Sequence, residues 1–381
     1  MLIKDYILQL FLFMLGINFI LFIFLLIRKM YMKILTNKKE YLEKKYEEQI
    51  LSYISNHDKS IIIIPRTKLE IRVFRNLLLN YSSLLTGETK ELLNDFAAKD
   101  SLIADIRKKL LSNNPWKKRI GAYQAGEFGF DEFSEILLKQ LKTSDKELFY
   151  ITSRALIKLG GKLYIKQVLY QAVKEAKMEK NNILTLVELV EEDINDILDQ
   201  AMAEDNAFLN AIALEIYGQR QYMEAVFWID KMISSPYKEV RIASLKAAEA
   251  LGDIGDNEYI NKILSLEFDQ EWEVRAFLAK FLKKVKTDNS VEGLKRLMKD
   301  MNWFVRYNAA NSLAEQGEKG IKALIDLLNS EDKFARDKAK EMIQKEIVFH
   351  KLFNDLEGSL KNKILSQIKL DGIEGGITSG I

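Results

Sequence analysis

Apolar positions fall into two regimes along the chain. From Tyr6 to Ile27 (YILQLFLFMLGINFILFIFLLI) 22 residues pass without a charge. From about residue 38 onward, apolar residues return every three or four positions among charged ones, as in helices with one buried face. At about 1.5 Å per residue, a helix over the first stretch spans the roughly 30 Å hydrocarbon layer of a bilayer. The stretch predicts a retained transmembrane anchor over residues 6–27, because it runs directly into Arg28 and Lys29 with no small-residue cleavage site. Lys33, Lys38, Lys39, Lys44 and Lys45 come after it, against Lys4 and the terminal amine before the helix. The positive-inside rule then puts the amino terminus outside and everything after residue 28 in the cytoplasm. Gln9 and Asn18 lie within the span, and a single anchor tolerates both.

The next segment, 38–56 (KKEYLEKKYEEQILSYISN), places Leu42, Tyr46, Ile50, Tyr53 and Ile54 on one face of a charged helix, a stalk or packing helix. Ile61 to Ile64 before Pro65 reads as a brief extended segment. VFRNLLLNYSSLLTG and ETKELLNDFAAKDSLIADIRKKLL read as two helices parted at Gly87, which cap the array behind them.

Beyond residue 112 the chain repeats. Val240-Arg241, Val274-Arg275, Val305-Arg306 and Ala335-Arg336 are separated by 34, 31 and 30 residues, the size of a helix pair. Counting from the Val position, a small residue recurs four or five places on, an aliphatic one eight on, and often glycine twelve on. In one copy these are Ala309, Ala310, Leu313 and Gly317. Weaker copies start at Lys118-Arg119, at Leu148-Phe149 with Gly160, and at Asn206 with Ala211, Leu214 and Gly218; a degenerate one is inferred near 176–205. Six places before the Arg position stand Asn113, Thr143, Ser235, Asp269, Asp300 and Ser330, residue types that cap helix amino termini. Between copies, GIKALIDLLN, SVEGLKRLMK and EYINKILSLEF read as second helices, and the small residues of the first helix admit a close partner.

Composition supports helices: there are three prolines, at 65, 115 and 236. With 57 basic and 55 acidic side chains intermixed, no global field draws the chain to nucleic acid. The absence of cysteine excludes disulfides, thiolate metal sites and cysteine nucleophiles.

The D-x-x-W-x-V-R step at Asp269 to Arg275, the related DMNWFVR at Asp300 to Arg306, and the downstream A-A-x-x-L and glycine resemble the HEAT-repeat family, including its short PBS-lyase-like variety. The resemblance covers about residues 113–347. It implies an all-α, right-handed alpha-alpha solenoid of about eight helix pairs, preceded by one transmembrane helix and a helical lead-in. It also implies that Asp269, Arg275, Asp300, Arg306, Arg241 and Arg336 form a structural ladder between neighbouring units, in place of a phosphate-binding line. Where Ser, Thr or Asn replaces the Asp, that rung is in question. The layout is also similar to membrane-anchored HEAT-repeat proteins of Gram-positive bacteria, which implies company with glycosyltransferases in cell-surface polysaccharide systems.

Four domains are expected: an anchor at 1–28, a juxtamembrane helical region and cap at 29–112, the solenoid at 113–347, and a cap helix with a flexible tail at 348–381, whose GIEGGITSG lacks the strand and helix of a phosphate loop. Trp116, Trp272 and Trp303 share one template position, which predicts inter-repeat packing, and Trp228 is expected in the core. Lys295, Arg296 and Lys299 on one second helix are the candidate partner-binding cations. His57 and His350, the only histidines, flank the array, so the paired His-Glu iron sites of HEAT-type hydroxylases have no counterpart. No cofactor, metal, small-molecule ligand or nucleic acid is expected. The reading is a non-enzymatic, membrane-anchored cytoplasmic scaffold that binds protein partners, the alternative being a HEAT-type nucleic-acid binder or DNA glycosylase-like enzyme.

Overall fold

The computed structural model describes residues 2–56, 65–85, 87–97, 100–174, 177–252 and 257–348, and all regular structure among them is helical. Ile61 to Ile64, both histidines and the tail from 349 lie outside the described residues. Two compact units, Met1–Tyr164 and Ile165–Ile381, make up the chain.

In the first unit, α1 (Leu2–Asn56) is one unbroken helix, so the expected boundary at residue 28 is not a break in the backbone. It is long and apolar enough to cross a membrane, and its apolar stretch from Phe11 to Ile27 is exposed. Asn18 donates its amide to Met14 O at 2.9 Å, satisfying that donor within its own helix. Further along, Leu42, Tyr46, Ile50 and Tyr53 are buried, the face expected from their spacing, and α1 packs there on α2 (Lys68–Leu84) and α3 (Gly87–Ala97). Thr67 and Glu70 cap α2 reciprocally, each side chain taking a backbone N–H of the other. The single helix expected over 88–111 is two, α3 and α4 (Asp100–Leu110). Next, α5 (Pro115–Phe128) is started by Asn114 with Pro115 in its first turn, where a missing N–H costs nothing. A short α6 (Ser134–Gln140) precedes α7 (Lys146–Lys174), which leaves helical angles at Gly160 and Gly161, so the template glycine does separate one helical arm from the next.

The second unit alternates first and second helices. The first helices are α8 (Lys180–Val187), α10 (Ala207–Arg220), α12 (Lys238–Leu251), α14 (Trp272–Leu282), α16 (Trp303–Glu315) and α18 (Lys333–Val348). They are interleaved with the second helices α9 (Asn195–Ala203), α11 (Ala225–Met232), α13 (Asn257–Leu264), α15 (Asp288–Leu297) and α17 (Glu318–Leu327). The degenerate copy expected near 176–205 is α8 and α9. In α16 the template residues Val305, Ala309, Ala310 and Leu313 are all buried. Gly317 comes next at φ +68, a left-handed angle that residues with a Cβ resist. Stacking such pairs buries a core that no single pair could build: an α-solenoid.

Three local expectations change. The small residues serve contacts between first helices of neighbouring copies: a Cβ on Gly218 would stand 2.8 Å from the Cα of Ala247, so α10 and α12 cross almost backbone to backbone. The copy placed at Asn206 runs in a different register. Asn206 caps α10 by accepting Leu209 N–H at 2.9 Å, so Leu209 takes the Val position, and the turn residue twelve on is Gln221 (φ +53), while Gly218 lies inside the helix. Finally, the residues six places before each Arg are not the helix caps. Asp300 accepts Asn302 N–H at 2.8 Å, Asp269 accepts Glu271 N–H at 2.9 Å, and Ser330 and Thr143 do the same two residues on. They form side-chain turns that aim the chain into a helix starting one residue later still, because a short oxygen reaches the N–H two places ahead more readily than an extended loop would allow it to reach the first turn.

Candidate functional site

Along one edge of the second unit lie the turns that join successive pairs, with the first turns of the helices they enter. Arg241 there forks onto the Asp269 carboxylate, Nε to Oδ2 at 2.7 Å and Nη2 to Oδ1 at 2.9 Å. Arg275 repeats this on Asp300 at 2.6 and 3.0 Å. Each arginine also donates to the carbonyl at the start of its own turn: Arg241 to Ser235 O, Arg275 to Asp269 O, Arg306 to Asp300 O and Arg336 to Ser330 O. One guanidinium therefore fastens its own turn and the next, and the aspartate that receives it orders that next turn through the N–H two residues on. Burial opposes the charge on Asp300, but the Arg275 fork and the Asn302 N–H outweigh it and hold the carboxyl below the ordinary aspartate range. The fork raises Arg275 in turn.

Where the aspartate is replaced, the rung persists by moving. Arg306 reaches Asp332 at 3.0 Å, four places before Arg336, while Ser330 keeps the turn. In the first unit, Arg119 grips Asp145 at 2.7 and 2.9 Å, four places before Phe149, while Thr143 keeps the turn. The Ala335 N–H, ahead of the Arg306 charge, holds Asp332 low, as the Leu148 N–H does for Asp145. The signal was present as Thr-Ser-Asp and Ser-Glu-Asp, an acid two places after the turn hydroxyl. Between α10 and α12 there is no such rung: Asn210 occupies the arginine place and donates to Met202 O at 3.0 Å, while Ser235 and Tyr237 supply no acid. Donor and acceptor are missing together, so neither is left as an unpaired buried charge.

The first two helical positions add a second contact across two of these junctions. Between α12 and α14 it is ionic, Lys238 Nζ to Glu273 Oε1 at 3.1 Å. Between α14 and α16 the same places hold Trp272 and Phe304, stacked at 5.4 Å between ring centroids. Trp303 meets Phe304 edge-on at 5.1 Å and stacks on Tyr307 at 5.2 Å. Of the three tryptophans expected to join repeats, Trp272 does so, while Trp303 packs on its own helix, and the positions lie at the surface: Trp272 is 37% exposed, Trp303 53% and Trp116 63%, with Phe268 at 79% and Met301 at 99% close by in sequence. Spacing alone missed this because the first buried position of each helix is the following Val. Beside the cluster, Tyr237, Arg241, Phe268 and Glu271 border an open groove of about 510 Å³.

The three expected partner-binding cations fare differently. Arg296 is forked onto Glu267, from the preceding repeat, at 2.8 and 3.1 Å, and Lys295 meets Glu292 one turn back on its own helix at 2.9 Å, so both are paired within the unit. Lys299 is exposed. Trp228 is buried as expected, its Nε1 donating to Asp199 at 2.7 Å beside the Tyr217 hydroxyl at 2.6 Å. Among the described residues, no three His, Cys, Asp or Glu converge on a metal position.

These features define a helical-repeat protein whose units are clasped along one edge by arginine forks. Residues 260–344 match the family model of HEAT repeats. No curated protein sequence matches it. Similar solved structures include human deoxyhypusine hydroxylase in complex with glycerol (14% identity, 80% of this chain and 96% of that one, TM-score 0.25). An engineered protein aligns at 17% identity over 63% and 97% with a TM-score of 0.23. A microtubule polymerase with a Tumor Overexpressed Gene domain array aligns at 10% identity over 87% and 98% with a TM-score of 0.27. At such scores these likenesses say nothing of site or activity.

Proposed function

We propose that the chain is a membrane-tethered scaffold that works by binding a protein partner on its HEAT-repeat unit, held on the cytoplasmic side, and not by catalysis. The observation that supports it is α1, whose apolar stretch is exposed from Phe11 to Ile27 and which has the length that lipid requires. The cations from Arg28 onward favour the inward orientation. Stacked repeats offer extended binding surfaces, and tethering raises the local concentration of whatever they bind near the bilayer. The layout resemblance favours a partner in a cell-surface polysaccharide or glycosyltransferase system, with Lys299, and Lys295 and Arg296 once freed from their acids, as contacts.

Two measurements test this. Alkaline extraction leaves the full chain in the membrane pellet and releases a chain lacking residues 1–28. Affinity capture of the full chain from solubilised membranes recovers a specific partner. Release of the full chain, or capture of nothing while other membrane complexes are recovered in parallel, overturns the reading.

A further inference from the structure

We infer that the aromatic edge of the second unit is a self-association surface, on which a second copy of this chain docks about a two-fold axis near Phe304. The proposal stands apart from the anchoring one. Phe268, Trp272, Met301, Trp303, Phe304 and Tyr307 are 79, 37, 99, 53, 55 and 38% exposed. At the 150–250 Å² that a large side chain offers, they present roughly 700 Å². That exceeds the few hundred Å² of contiguous apolar surface usual on a monomer, and approaches the ~800 Å² each partner gives to a stable interface. The four rings form one connected cluster through the contacts Trp272–Phe304–Trp303–Tyr307. Phe268 and Met301 are exposed just ahead of the two helices that carry these rings.

Charge selects the occupant. The aspartates and arginines of this edge are engaged in rungs, which leaves the centre of the patch neutral. Charges on its two sides have opposite sign: half-buried Glu271 stands one repeat before the Trp303–Phe304 turn, and exposed Lys333 one repeat after it. Lys238 beside Glu271 and Glu331 beside Lys333 give a rim of the reversed order. A two-fold axis through the central turn exchanges the flanking repeats, so Glu271 of each copy faces Lys333 of the other, twice per dimer. An edge of one sign would repel its own image, whereas this one matches it.

The test uses the full chain in detergent micelles. The protein has no cysteine, so Met301→Cys and, on α13, Lys262→Cys each carry a single thiol. A bis-maleimide links the Met301→Cys chain into dimers and leaves the Lys262→Cys chain monomeric. By light scattering, Glu271→Lys or Lys333→Glu alone weakens the dimer by about tenfold or more, and the two together restore it. Rescue by the double reversal separates a lost contact between copies from a folding defect, which the second charge change would not repair. Four outcomes overturn the proposal: a monomer at the highest soluble concentration, equal crosslinking from both thiols, no rescue by the double charge reversal, or a dimer that survives Met301→Glu with Trp303→Glu. Quenching of Trp303 by brominated lipid in a monomeric chain would give the edge to the bilayer and also overturn it.

Discussion

Removing Asp300 isolates the energetic logic of the edge. Arg275 and Asp300 keep 15% and 8% of their side chains exposed and meet in a bidentate fork. In Asp300→Ala, Arg275 keeps its carbonyl bonds to Asp269 and Gln270 but loses its counter-charge, and the Asn302 N–H loses its acceptor. Breaking a buried pair from one side costs about 3–5 kcal/mol; partial exposure puts this pair at the lower end, and the lost turn bond adds about 1 kcal/mol. The expected loss is about 4 kcal/mol by urea titration of the full chain, followed by far-ultraviolet dichroism and by the fluorescence of Trp272 and Trp303. Asp300→Asn keeps an oxygen for the turn and recovers about 1 kcal/mol of that. Arg275→Met with Asp300→Ala costs less than the two changes summed, with a coupling of about 2 kcal/mol. The outer rung is the control: Arg306 and Asp332 are 19% and 26% exposed and share a single hydrogen bond, so Asp332→Ala costs about 1–2 kcal/mol. Equal losses at the two rungs, or a coupling near zero, would refute the reasoning.

Acid should weaken the same edge. Asp300, Asp332 and Asp145 are held below the ordinary aspartate range, so the folded state binds fewer protons than the unfolded one in that window. Their contribution is intact above pH ~4 and fades as pH falls below it; urea midpoints across that range track it, and Asp300→Asn flattens some of the slope. Gly218→Val drives a side chain into the Ala247 backbone and costs about 1–3 kcal/mol by overpacking, read as a lowered urea midpoint. Gln221→Gly relieves a left-handed backbone angle and stabilises by about 0.5–1 kcal/mol, while Gly317→Ala at φ +68 costs a similar amount, both visible in thermal melts.

The helix pairs were legible because each first helix carries its buried stripe in fixed order, Val305, Ala309, Ala310 and Leu313 being one instance. Register at Asn206 was harder. Gly218 imitates a turn glycine in spacing, and only the backbone approach to Ala247 explains it. The rungs at Asp269 and Asp300 match the template, but those at Asp145 and Asp332 depend on how far a turn advances the chain, which spacing alone does not encode. Exposure of the aromatic cluster was hidden for another reason. A residue at the start of a helix can face a neighbour or water at the same periodicity, and the stacked Trp272 and Phe304 do both.

The clasp also sets a grammar for growth. The repeat from Asp269 to Lys299 receives an arginine from the unit before it and offers one to the unit after it. Copied in tandem, its outgoing Arg275 would meet a second Asp269, so the array can lengthen there without stranding a charge. The α10 repeat neither gives nor receives a fork, and set among ladder units it would leave Arg275 facing no acid. Unit order is thus written at the junctions, and duplication within this chain is free at one address and forbidden at another.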